Sequence, residues 1–205
     1  MSVERQWNIL VGATGSVASI KIPNIVHELK KKPGINVKVV PTNAAHFFFK
    51  DLEVDAQVHT DAEEWDLWKQ KTDPVLHIEL RKWADIMVIA PLDANTLAKI
   101  ASGLCDNLLT CVLRAWDTTK PVVVCPAMNT HMWTHPFTAK HLAVLEDDFR
   151  FKVVAPISKL LACGDTGVGG MAEPETIASK VFETLSEIKI QESVENKLPE
   201  GIELN

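Results

Sequence analysis

Five short apolar runs separated by segments of helical character constrain this chain more than any other feature. The runs are Trp7 to Val11, Val37 to Pro41, Asp85 to Ala90, Pro121 to Cys125 and Lys152 to Ala155, all rich in Val and Ile. Strands buried on both faces have this composition, and they occur in parallel sheets covered by helices. Between and after them, Ser16 to Lys31, Ala94 to Ser102, Asp106 to Trp116, His131 to Leu145 and Pro174 to Lys189 read as helices. Pro33-Gly34 stops the first, Asp106 opens the third, and Pro174 with Glu175 behind it marks a first helical turn. The alternation predicts an α/β protein built on a doubly wound parallel sheet with helices on both faces.

The acidic stretch from Asp51 to Lys71 breaks this rhythm. Trp65 and Trp68, spaced i, i+3, predict a short amphipathic helix on an excursion from the sheet. Residues 51–66 hold seven carboxylates and no Lys or Arg, and residues 191–205 hold four carboxylates against Lys197 alone. Removing those −7 and −3 from the net −6 leaves a body of +4. We therefore expect one domain over residues 1–190, followed by a disordered acidic tail over 191–205. A domain of this size buries roughly 70% of its unfolded surface and needs no disulfide or structural metal.

Charge and hydropathy exclude several classes of function. Duplex binding depends on a concentrated basic face, so the acidic balance argues against nucleic acid as a partner but not against a small anion. The longest apolar run, Ala84 to Leu92, contains Asp85 and Pro91. It falls short of the roughly 20 residues of a membrane span. The N-terminal residues carry no secretory signal, so the expectation is a cytoplasmic protein that does not enter a membrane. Cys105, Cys111, Cys125 and Cys163 form no C-x-x-C pair. The first three read as core thiols.

In an open parallel sheet, ligands bind beyond the carboxyl ends of the strands. After the first run comes Gly12-Ala13-Thr14-Gly15-Ser16, which is either a phosphate cradle at a helix start or a tight turn capped by Ser16. Thr42-Asn43 and His46-Phe47-Phe48-Phe49 follow the second; three successive phenylalanines cannot all face one core, so at least one is exposed or lines a pocket. The third is followed by Asp93-Ala94-Asn95-Thr96, whose polar cluster exceeds what one helix cap uses. Asn129, beyond the fourth, can donate to a carboxylate, while His131 and His135 have the spacing of metal ligands without an apparent third. A glycine-rich loop from Leu161 to Gly170 carries the Cys163 thiol, and His77 stands among apolar neighbours as either a base or a structural histidine.

Taken together, V-L-H-I-E-L around His77, A-P-L-D-A-N-T-L from Ala90, C-D-N-L-L-T from Cys105, P-A-M-N-T-H-M-W from Pro126 and A-C-G-D from Ala162 resemble the homo-oligomeric flavin-containing cysteine decarboxylases. The resemblance covers roughly residues 7 to 189 and implies a Rossmann-like, flavodoxin-like fold. It implies FMN as cofactor, with Gly15 and Ser16 at its phosphate and Thr42, Phe47, Asp93, Ala94, Asn95 and Thr96 around it. It makes His77 the catalytic base, Asn129 and Met132 substrate contacts, and Ala162, Cys163, Gly164 and Asp165 a clamp over the substrate, with Cys163 as an acid.

The implied substrate is 4′-phosphopantothenoylcysteine, and the implied assembly a homotrimer with FMN near a subunit interface. Direct CO₂ loss from a cysteinyl carboxylate would leave an unstabilised carbanion. The family therefore oxidises the thiol-bearing carbon to a thioaldehyde, loses CO₂ to an enethiolate, and returns the hydride. Relatives that act on the C-terminal cysteines of peptides stop at the enethiol and lack the reducing cysteine; here A-C-G-D is intact. Competing readings are an inhibitory phosphatase subunit of the same fold, or a decarboxylase of another cysteinyl substrate.

Overall fold

The computed structural model describes residues 5–160 and 166–195. Its elements in chain order are β1 (Trp7–Ala13), a 3-10 turn (Val17–Lys21), α1 (Ile22–Lys30), β2 (Ile35–Pro41), α2 (Asn43–Phe49), β3 (Gln57–Val58), α3 (Asp61–Leu67) and α4 (Leu76–Trp83). There follow β4 (Ile86–Leu92), α5 (Ala94–Ala101), α6 (Leu108–Arg114), β5 (Val122–Pro126), α7 (Thr130–Trp133) and α8 (Pro136–Ala143). A π turn (Val144–Asp148), β6 (Lys152–Val153), β7 (Ile157–Leu160), β8 (Thr166–Gly170) and α9 (Pro174–Glu195) complete the chain.

Six strands form one parallel sheet in the order β3-β2-β1-β4-β5-β6. Without the two-residue edge strand β3, this is the flavodoxin order, with its reversal between β1 and β4. Successive side chains of the central strands alternate between two apolar layers, as the period of two demands. Ile9, Val11, Ile86, Val88 and Val123 pack with Ile22, Ile25 and Leu29 of α1 and Ile177, Val181 and Leu185 of α9. Leu10, Met87, Ile89, Val122 and Val124 pack on the other face with Leu80 of α4, Leu97 of α5 and Leu109 and Val112 of α6.

All five expected strands are present, with ends shifted by a residue or two. The expected first helix begins instead as the 3-10 turn, with α1 starting beside Pro23. The segment 131–145 is not one helix. It breaks at Thr134-His135, where Pro136 cannot continue a helical hydrogen-bond ladder and opens α8. α9 runs on through Glu195, past the expected helix end at Lys189; residues 196–205 of the expected tail lie outside the described residues. The excursion does hold a short helix, α3, but its tryptophans face outward: Trp65 is 77% exposed and Trp68, just past its end, 49%. The β7–β8 hairpin was not expected.

Leu109 is fully buried against the opposite strand surface. We expect Leu109→Ala to lower stability by about 2–5 kcal/mol in denaturant unfolding, because the vacated volume collapses only in part. Ile190→Ala, at a position 63% exposed, should change it by no more than about 0.5 kcal/mol.

Candidate active site

The loops after β1 and β4 meet at the point where strand order reverses, and a buried hydroxyl joins them. Thr14 Oγ1 donates to the Pro91 carbonyl at 2.8 Å and accepts the Asp93 N–H at 2.6 Å. Ser19 Oγ in turn donates to the Thr14 carbonyl at 2.8 Å. Gly15 lies between the two loops: a Cβ there would come within 3.0 Å of both Ala44 Cβ and Asp93 Oδ2. The glycine thus lets three loops converge around exposed backbone, the arrangement a phosphate cradle needs.

The expected cofactor residues lie at the starts of, or within, the elements that follow β1, β2 and β4. Ser16 caps the 3-10 turn by accepting the Ala18 N–H at 3.4 Å, and Thr42 caps α2 by accepting the Ala45 N–H at 3.2 Å. Asp93 caps α5, its Oδ1 accepting the Thr96 N–H at 2.7 Å. Thr96 is buried, Ala94 half-buried and Asn95 exposed. Phe47 is 70% exposed on α2, whereas Phe49 is buried, so the three phenylalanines do split between core and surface.

A cleft of about 340 Å³ runs from Ser16 and Lys21 to Met128 and Asn129, and on to Lys159, Leu160 and Gly170 of the hairpin. Its size suits a small-molecule ligand. Asn129 caps α7, its Oδ1 accepting the His131 N–H at 2.8 Å. Lys21 and Lys159 both pair with Glu173, Lys159 at 3.6 Å, so the two ammonium groups at the cleft are held from one side by a single carboxylate. Those pairs lower the Glu173 carboxyl below its usual range, chiefly through the hydrogen bond from Lys21.

The hairpin is rooted on the Asn129 loop by backbone. The Met128 N–H donates to the Gly169 carbonyl at 2.8 Å, and Gly169 has φ +143°, where a Cβ would lie 2.2 Å from the Met128 carbonyl oxygen. Only glycine fits there. Ala162, Cys163, Gly164 and Asp165 belong to the five-residue connection of this hairpin and lie outside the described residues.

His77 does not line the cleft. It is the second residue of α4, with Nδ1 2.5 Å from Glu64 Oε1 of α3, a partner that sequence spacing gave no reason to expect. Met132 lies 49% exposed on α7, also off the cleft. His131 and His135 do not share one helix, and among the described residues no group of three or more His, Cys, Asp or Glu is placed to hold a metal.

The expectation of core thiols holds for Cys125 but not for Cys105 or Cys111. Cys105 is exposed, because it precedes the start of α6 rather than lying within it. Cys111 is half-buried; burial pushes its thiol up to about 11, with the neighbouring Cys105 thiol and the Glu64 charge adding to the shift. Cys125 is buried in β5, and burial raises its thiol far above the ordinary range.

A doubly wound sheet with a cradle at its reversal point is the frame of a nucleotide- or flavin-binding protein. The chain matches the Flavoprotein family model over residues 2–186, and it belongs to that family. It is 54% identical over 186 residues to phosphopantothenoylcysteine decarboxylase of Mus musculus, covering 91% of each chain. Among solved structures it is similar to a cysteine-to-serine mutant of PPC decarboxylase complexed with pantothenoylaminoethenethiol, with TM-score 0.85 and 50% identity over 89% of this chain and 100% of that one. It is likewise similar to the FMN binding protein AtHal3, with TM-score 0.82 and 50% identity over 89% and 98% of the two chains.

Gly169→Ala should force the Met128–Asn129 backbone away from the hairpin. We expect a cost of about 1–3 kcal/mol from the disfavoured φ alone, read as a lower unfolding midpoint. An unchanged midpoint would mean that the contact to Met128 is not what holds the hairpin.

Proposed function

We propose that this protein is an FMN-dependent phosphopantothenoylcysteine decarboxylase, forming 4′-phosphopantetheine in coenzyme A synthesis. The observation that carries the reading is the cleft between the segments after β1 and β5, which joins Ser16, beside the strand-order reversal, to Asn129 against the β7–β8 hairpin. The similarity to a PPC decarboxylase mutant complexed with pantothenoylaminoethenethiol supports it, since that molecule has the structure of a decarboxylated, unreduced pantothenoylcysteine without the phosphate.

The residues present fit FMN. Its phosphate would lie on the Gly15-Ser16 backbone, with Thr42, Phe47 and the Asp93-Ala94-Asn95-Thr96 turn around the rest; Gly15 fits that role because, without a side chain, it lets α2 and the Asp93 turn close to within about 3 Å of it while its own backbone stays exposed. When bound, FMN supplies a two-electron sink that accepts hydride before CO₂ loss and returns it afterwards. His77 takes the proton of the substrate thiol as the carbon beside it is oxidised. Asn129 and Met132 hold the carboxylate end, so that the C–C bond breaks with its electron pair moving toward sulfur. Ala162, Gly164 and Asp165 close over the substrate, and Cys163, protonated at neutral pH as an ordinary thiol, delivers the final proton.

The functional assembly in this reading is a cytoplasmic homotrimer whose flavin lies near a subunit interface, with the catalytic domain over residues 1–190. The exposed Phe47, Trp65 and Trp68 support it, as does the position of His77 away from the cleft that contains Asn129. A neighbouring copy would cover the aromatic surface and complete the site. No helix among the described residues is long and apolar enough to cross a membrane.

Purified protein should be yellow and release CO₂ from 4′-phosphopantothenoylcysteine, with a solution mass three times the 22.7 kDa of the chain. A colourless, inactive preparation that binds a protein phosphatase would replace this reading with the regulatory one. His77→Asn should retain FMN but show no bleaching of the flavin band by substrate. Cys163→Ser should release CO₂ and accumulate the enethiol; normal phosphopantetheine from that variant would remove Cys163 from its role as acid.

A further inference from the structure

The acidic excursion of residues 51–66 resembles a solvated charge run, yet one of its carboxylates is drawn inside. The Glu64 side chain is only 12% exposed, with Oε1 2.5 Å from His77 Nδ1, while the imidazole itself is 25% exposed. Glu64 Oε2 is buried with no hydrogen-bond partner. Leaving a carboxylate oxygen without a donor is unfavourable, and such groups persist where another requirement fixes them. The supporting helix is anchored as well: Asp61, three residues earlier on α3, accepts the Leu108 N–H that opens α6 at 2.8 Å. The helix that carries Glu64 is therefore tied to α6 by a contact that does not involve the histidine. The His77 ring makes no other hydrogen bond among the described residues.

The geometry points to Glu64 as the positioning residue for His77. Resting on the decarboxylase reading, it assigns the two ring nitrogens distinct tasks. A carboxylate accepts only, so Nδ1 carries the hydrogen and donates it to Glu64 Oε1, which leaves the lone pair on Nε2. Nε2 is then the atom that takes the proton when the substrate S–H bond breaks, with the electron pair staying on sulfur. The imidazolium so formed faces a fixed negative charge, which stabilises it where it arises. Glu64 touches neither substrate nor flavin in this account; it acts through the ring.

Two measurements test the assignment. Histidine-selective ¹⁵N NMR of the holoprotein should show His77 as the Nδ1–H tautomer; an Nε2–H tautomer overturns the proposal. In Glu64→Gln, which keeps the side-chain shape and removes the charge, anaerobic bleaching of the flavin by saturating 4′-phosphopantothenoylcysteine should slow about ten- to a hundredfold, with KM within about twofold of the parent. A merely structural tie between α3 and α4 predicts a parental bleaching rate once FMN is bound, or a loss confined to KM, and either result overturns the role. Failure of the unsubstituted holoprotein to bleach at all would count against the decarboxylase reading. The tautomer measurement would still decide the arrangement of the ring.

Discussion

A strand covered by helices on both faces has no place for a polar side chain along its length. In β1, β4 and β5 the runs Ile9 to Val11, Ile86 to Ala90 and Val122 to Cys125 are given wholly to two apolar layers. Polar chemistry is thereby confined to the loops at the carboxyl ends, and the Thr14 hydroxyl sets how two of those loops meet. By donating to Pro91 and accepting from Asp93, it fixes the β1 and β4 loops against each other where the sheet reverses its order. The Gly15 cradle, the Asp93 cap and the start of the cleft all follow from that junction.

This frame was legible because burial on both faces imposes a β-branched, apolar composition that few other arrangements share. Strand ends were legible for the same reason, and the polar residues there, Ser16, Thr42, Asp93 and Asn129, each cap the helix or turn that follows. The β7–β8 hairpin was not. Its sequence, with glycines at 167, 169 and 170, has the composition of a loop, and the glycines answer to contacts with Met128, Thr130 and Lys159 that only the folded chain creates. Cys105 was misjudged because its apolar neighbours belong to a helix that begins after it.

Net charge misled in a similar way. The seven carboxylates of residues 51–66 look alike in sequence, but the fold gives several of them separate tasks. Asp55 pairs with Lys30 at 2.6 Å, Asp61 caps the N-terminus of α6, Glu63 bonds His59 at 2.9 Å, and Glu64 bonds His77. Three of these partners are distant in sequence, so no spacing rule reveals them. A surplus of acid that reads as a solvated surface serves in part to fasten the excursion to the helices around the sheet, and in the proposed arrangement to orient an imidazole.

The attachment of the hairpin at Gly169 has a mechanical meaning. Its carbonyl receives the N–H of Met128, the residue directly before Asn129, and Gly167 lies against the Thr130 side chain directly after it. The strand that leads away from the Cys163 connection is therefore braced on both sides of the asparagine. In the proposed reading, gripping a carboxylate and supplying a thiol would share a common footing through this contact, so that a mutation re-aiming one would disturb the other.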